Sequence, residues 1–123
     1  MLRIVGVRKG ETAEEEFVLL QNQGGLKVNL RGHVLLGEKA LELGDVGDFF
    51  HLFTDDVSIG AGHFVLLYTG CGTPKWAKTK EQQLVYYTFM NRFASVWDRA
   101  NGAVHILSPQ HSFTERRDAL VLR

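Results

Sequence analysis

The stretch Glu16-Phe-Val-Leu-Leu-Gln-Asn-Gln-Gly-Gly25 holds the unit from which the chain is built, a short apolar burst followed at once by small turn-forming residues. Aromatic and β-branched side chains suit a pleated, half-buried backbone, and a Gly pair takes the positive φ of a tight turn without steric cost. A burst this short is strand spacing, not helix spacing.

Working outward, the same unit recurs at residues 2–7, 27–36, 49–54, 64–69, 84–90, 103–107 and 119–122, so with 16–21 it predicts eight strands. Breakers rich in Gly, Asn and Asp separate them at 23–25, 43–48, 58–62, 69–74 and 100–102. Alternation with period two sets Val28 and Leu30 against Asn29 and Arg31, and Val85, Tyr87 and Phe89 against Tyr86, Thr88 and Met90. Each such strand is expected to put one face in a core. In the second case the other face is itself partly apolar, which places Tyr86 and Met90 outside the core as an exposed patch for a partner. Helical candidates are limited to a turn over 12–15, with Thr12 as N-cap and Glu15 three residues on, and the segment 74–83. With no long amphipathic helix to act as a crossover, the pattern predicts an all-β fold, an antiparallel sandwich of about eight strands with at most one or two short helical turns. A chain of 123 residues with 45% hydrophobic and 23% charged residues fits a single globular domain over 1–123. Phe17, Leu19, Val28, Leu30, Val65, Leu67, Trp97, Ile106 and Leu120 are its expected core.

Three stretches together resemble the lamin-tail domain, an immunoglobulin-like β-sandwich. The first is Glu16 to Gly25 followed by Val28-Asn-Leu-Arg-Gly-His33, similar to that family's acidic-aromatic-aliphatic strand, Asn-x-Gly turn and apolar-x-Leu-x-Gly-Trp segment. The second is Phe53 with Val57-Ser-Ile-Gly-Ala-Gly-His-Phe-Val-Leu-Leu-Tyr-Thr-Gly70, and the third is Val96-Trp97 before a polar turn and the strand at 103–107. His33 stands where the family has Trp, and Ala61 where it has Pro. The resemblance implies a recognition or attachment module without shared catalytic residues, one that contacts proteins and DNA in lamins and accompanies nucleases, hydrolases and surface proteins in bacteria.

Charge and chemistry narrow the function further. Fourteen Lys and Arg balance fourteen Asp and Glu, so bulk charge attracts no polyanion. Along the chain the balance is uneven, +1 over residues 1–31, −5 over 32–74 and +4 over 75–123. The glycine-rich Thr69-Gly-Cys-Gly-Thr-Pro-Lys75 lacks the Gly-Lys-Ser/Thr ending of a phosphate loop and reads as a turn. Cys71, the single cysteine, excludes an intramolecular disulfide and suits a reducing compartment; as a nucleophile it would need a histidine at its side. His33, His51, His63, His105 and His111 have nearest spacings of 6 and 12, neither of which brings two imidazoles onto one metal ion, and His51 and His105 are expected on outward strand faces. Asp45, Asp48, Asp55 and Asp56 lack the alternating spacing of a calcium loop and read as a solvated acidic segment. No metal or cofactor is expected. Lys75, Lys78, Lys80, Arg92, Arg99, Arg116 and Arg117, with Trp76 and Phe93 among them, form the one basic and aromatic concentration.

The expected function is therefore a non-catalytic protein-interaction or attachment module that binds another protein or itself, with Tyr86, Met90, Lys75, Trp76, Arg92, Arg99, Arg116 and Arg117 as its partner-binding residues. The alternative is a nucleic-acid-binding module using the basic C-terminal half, and a more remote one a small Cys/His hydrolase. No apolar stretch approaches the roughly 20 residues of a membrane span, no signal segment opens the chain, and a cytoplasmic location is expected.

Overall fold

The computed structural model describes residues 1–44, 47, 49–100 and 102–110. Ten strands run in chain order: β1 (Leu2–Arg8), β2 (Phe17–Asn22), β3 (Val28–Asn29), β4 (Val34–Gly37), β5 (Phe50–Leu52), β6 (Ser58–Ile59), β7 (Phe64–Tyr68), β8 (Lys75–Lys78), β9 (Leu84–Phe89) and β10 (Val104–Leu107). Two short helices, α1 (Glu38–Leu43) and α2 (Trp97–Ala100), and a 3-10 turn over Ala13–Glu15 complete the described elements. The fold is mainly β. The strands form a five-stranded sheet in the order β1-β2-β7-β9-β8, a three-stranded sheet β10-β4-β5 and a β3-β6 pair.

All three sheets contribute to one core. Val18 and Leu20 of β2, Val65 and Leu67 of β7, Leu35 of β4, Ile59 of β6, and Phe53, Val96 and Trp97 are fully buried in it. Trp97 and Leu30 are buried as expected, and Val28 and Ile106 pack against the cluster.

The buried set corrects the expected strand faces. Phe17 and Leu19 lie on the face of β2 opposite Val18 and Leu20 and are only partly buried. Tyr86, expected outside, is 6% exposed in the core, and Met90 packs against that core. His51, expected outward, is partly buried with its ring edge-on to that of Phe53, and burial holds its pKa down at about 4. The expected strand 119–122, with Leu120, lies outside the described residues, as do Asp45, Asp48 and His111.

Local reasons account for the other differences. Residues 27–36 divide into β3 and β4 because the chain turns at 30–33, where His33 N–H donates to Leu30 O (3.2 Å) and the His33 Nδ1 approaches the same carbonyl at 3.0 Å. The segment 74–83 is not helical. Lys75, Trp76, Ala77 and Lys78 pair with Tyr87, Tyr86, Val85 and Leu84, and a sheet edge overrides the weak local preference for helix. Residues 79–83 are the turn that follows, with Thr79 N–H donating to Gln83 O (2.8 Å) and Gln82 at a φ of 66°. The sheet is not antiparallel throughout: the chain leaves β7, returns as the edge strand β8, and enters β9 between them, which makes β7 and β9 a parallel pair. Helix α1 is built from the good helix formers Glu38-Lys-Ala-Leu-Glu-Leu43 and stops at Gly44, whose φ of 67° is the left-handed C-terminal cap.

A buried carboxylate ties β2 to α2. Glu16 is fully buried; its Oε1 accepts from Thr69 Oγ1 (2.7 Å) and from the amides of Val96 (2.8 Å) and Trp97 (2.9 Å), and its Oε2 accepts from the Asp98 amide (2.9 Å). These are the free N–H groups that open a helix. Burial is the largest influence on this carboxyl and pushes its pKa up, but the hydrogen bonds from Val96, Trp97, Thr69 and Asp98 together outweigh it and hold the pKa below the ordinary 4.5.

Candidate interaction surface

The five-stranded sheet has two apolar faces, and the core covers one of them. On the other, register aligns the side chains in three rows across the strands: Arg8, Phe17, Tyr68 and Phe89; Gly6, Leu19, Leu66, Tyr87 and Lys75; and Arg3, Gln21, Phe64, Val85 and Ala77. Phe17, Leu19, Phe64, Leu66, Tyr68, Val85, Tyr87 and Phe89 are each partly buried, shielded by their neighbours in the rows. A bulge between Ile4 and Gly6 shifts β1 by one residue, so that Gly6, with no side chain, lies opposite Leu19 and leaves it open.

The rings on this face are ordered by one another. Tyr68 stacks on Tyr87 (centroids 6.4 Å, planes 13° apart) and on Phe89 (5.9 Å, 17°), while Phe17 meets Tyr68 edge-on at 5.7 Å. The Lys75 ammonium lies 5.2 Å from the centre of the Tyr87 ring. At one end the 69–74 loop lies over Phe89, where a Cβ on Gly72 would come within 2.5 Å of the ring. Toward the other end the face opens into an apolar hollow of about 270 Å³ walled by Phe17, Leu19, Phe64, Leu66, Val85 and Tyr87, with Thr79 at its rim. A second hollow of about 320 Å³, between Tyr68, Phe89, Gly70, Cys71 and Glu14, borders the loop end.

The charged side chains within the rows are all cationic, and the one carboxylate beside them, Glu14, borders the hollow at the loop end. Arg3 and Arg8 stand on the β1 edge and Lys75 on the β8 edge, and strands β1, β2, β7, β8 and β9 contain no Asp or Glu.

The expected site residues do not gather in one place. Lys75 belongs to the outer face. Trp76, 45% exposed, pairs with Tyr86 on the opposite side of the sheet, its ring 5.0 Å from that of Tyr86. Tyr86 donates its hydroxyl to Asp55 Oδ2 (2.8 Å), which also accepts from Thr88 Oγ1 (2.9 Å); burial first, then Asp55, pushes the Tyr86 phenol up to about 12. Arg92 is partly buried, with its amide on Thr69 O, and its charge opposes a proton on His51. Arg99 lies on α2, with its Nε on Ser95 O and its guanidinium 6.0 Å from the Phe49 ring centre. Arg116 and Arg117 lie outside the described residues. The residues that do form a surface, Phe17, Leu19, Phe64, Leu66, Tyr87 and Phe89, were not among those expected to bind. Their signal was present in three bursts that are apolar at both even and odd positions.

The remaining chemical groups are tied into the structure. His63 Nδ1 accepts from the Leu84 amide (2.8 Å), His105 Nε2 pairs with Glu38, and exposed Cys71 has its Sγ 4.0 Å from Arg92 O. Among the described residues no group of three or more His, Cys, Asp or Glu is placed to hold a metal ion, and no helix is long and apolar enough to cross a membrane. No family model, curated protein or solved structure matches the chain.

Proposed function

We propose that the chain is a non-catalytic protein-interaction module, an immunoglobulin-like sandwich of the lamin-tail type, that binds through the outer face of its five-stranded sheet. The observation that carries this reading is the set of eight apolar side chains in registered rows on a sheet face whose opposite side already holds the core. Contiguous apolar surface of this kind is what a soluble domain keeps for a partner. The lamin-tail assignment draws support from Glu16: the acidic residue that begins the first resembling stretch caps Val96, Trp97 and Asp98 of the third. A single exposed thiol suits a reducing compartment such as the cytoplasm.

The test is Leu66→Asp, which places a charge in the centre of the face and leaves the core untouched. Proteins retained from a cell lysate by immobilised wild type should be lost by the variant, while the two circular-dichroism melts stay within a few degrees. Equal retention by both would refute the reading.

A further inference from the structure

We infer that the outer face takes an extended apolar peptide segment flanked on both sides by acidic residues, a conclusion that rests on the reading of this face as the binding surface. Charge complementarity and the state of the rings select this occupant. Both edges of the face are cationic, through Arg3 and Arg8 on β1 and Lys75 on β8, and none of the five strands supplies a carboxylate. A second copy docked face to face with its strands aligned to the first would bring these cationic edges against one another. A nucleic acid would satisfy the charges but needs free ring faces on which to stack bases. Here the ring faces are engaged. Tyr87 is stacked on Tyr68 and approached by the Lys75 ammonium, and Phe89 is stacked on Tyr68 and overlaid at Gly72.

Around the hollow at Leu19, Leu66 and Tyr87 the face offers aliphatic surface and ring edges, with cations beyond on either side, while the second hollow, bordered by Glu14, lies off this line at the loop end. Strands in a sheet lie about 4.8 Å apart, so each edge is about 10 Å from the central strand β7. An extended peptide advances about 3.3 Å per residue. A segment running across the strands would therefore seat a branched or aromatic anchor in the hollow between Leu19, Leu66 and Tyr87 and carry its carboxylates about three residues to either side.

The experiment is selection of a random displayed peptide library on the immobilised full chain, with Leu66→Asp for counter-selection, followed by fluorescence anisotropy of the winning peptides. The expected winners carry an apolar anchor between Asp or Glu residues. The double reversal Arg8→Glu with Lys75→Glu should weaken them about tenfold and turn the selection toward Lys- and Arg-flanked sequences. Apolar winners without an acidic excess, unaffected by the reversal, would overturn this inference and leave the face as the binding surface. Winners indifferent to Leu66→Asp would overturn both. A dimer by sedimentation that Leu66→Asp dissolves, or a labelled single strand whose binding is lost in Tyr87→Ala, would assign the face to one of the rejected occupants.

Discussion

The two faces of the five-stranded sheet carry similar amounts of apolar side chain and have opposite fates. Val18, Leu20, Val65 and Leu67 face inward and are fully buried, while their sequence neighbours Phe17, Leu19, Leu66 and Tyr68 face outward and are partly buried. Hydrophobicity alone does not separate the two sets, since the outward one holds the larger rings. The difference lies in the polar partners. The inner face ends at groups that satisfy buried polar atoms, with Asp55 accepting from Tyr86 and Thr88 and Glu16 capping α2. The outer face has no such buried carboxylate: its rows hold cations at the edges and Gln21, whose amide donates to Gly62 O. A sheet of this kind is stabilised on one side and left available on the other.

The largest expected effect comes from breaking the inner network at its most buried charge. Glu16→Ala leaves the amides of Val96, Trp97 and Asp98 and the Thr69 hydroxyl without their acceptor, and should cost about 3–5 kcal/mol by denaturant melt. A cost below about 1 kcal/mol would mean that water replaces the carboxylate and that the site is not closed. The next effect contrasts two adjacent residues of one strand. Leu67→Ala should cost about 2–5 kcal/mol, as expected for a leucine removed from a packed core, and Leu66→Ala less than about 1 kcal/mol. Equal costs would show that the outer face is covered in solution.

How much of this could be read beforehand follows from the same contrast. The bursts at 2–7, 16–21, 64–69, 84–90 and 103–107 are strands within a residue or two, because short β-branched and aromatic runs between glycine turns admit little else. Strand β8 was hidden because Lys75-Trp-Ala-Lys78 has no strand pattern of its own and is ordered by pairing with β9. Helix α2 is likewise held from a distance, by Glu16. Helix α1 has its signal in the sequence, a good helix-forming run ending at Gly44. The candidate surface was legible only as a fact without a side. Val85, Tyr87 and Phe89 look more core-like than Tyr86, Thr88 and Met90, yet Tyr86 goes inward because Asp55, far off in sequence, receives its hydroxyl. Period-two patterning shows which residues share a face and, when both faces are apolar, leaves open which face is inside.

Acid should separate the faces as well. His51 has its pKa lowered to about 4 by burial, with the Arg92 charge adding to that and Asp55 opposing it. Between the ordinary 6.5 and about 4, the unfolded chain therefore holds a proton that the folded chain does not, and stability falls as pH falls through that window. The loss should be on the order of 3 kcal/mol. His33, also lowered by burial, adds to it in the same direction. Glu16 acts lower down, its contribution present above its ordinary 4.5 and lost as pH drops through its depressed folded value. In urea melts across pH 7 to 4, His51→Leu should flatten most of the slope. The outer rows hold Arg and Lys as their only charges, so the rows keep their charge over that range while the fold remains intact, and weakening of peptide binding close to pH 4 would report protonation of the peptide's own carboxylates. A variant whose slope matched wild type would remove His51 as the cause.

The smallest effect tests the inner face where sequence reading placed it outside. Tyr86→Phe keeps the ring against Trp76 and removes only the hydroxyl that donates to Asp55, which retains its bond from Thr88. The cost should be about 1 kcal/mol, that of one hydrogen bond to a charged acceptor with its partner still served. The same exchange at outward-facing Tyr87 removes a hydroxyl that makes no hydrogen bond to the described residues and should leave stability unchanged. A spectroscopic signature accompanies the difference. Burial and Asp55 push the Tyr86 phenol up to about 12, so an alkaline absorbance titration of the wild type should show a late phase that Tyr86→Phe removes and Tyr87→Phe retains. If Tyr87→Phe removed it instead, the assignment of the two faces of β9 would have to be reversed, and with it the side of the sheet on which a partner is sought.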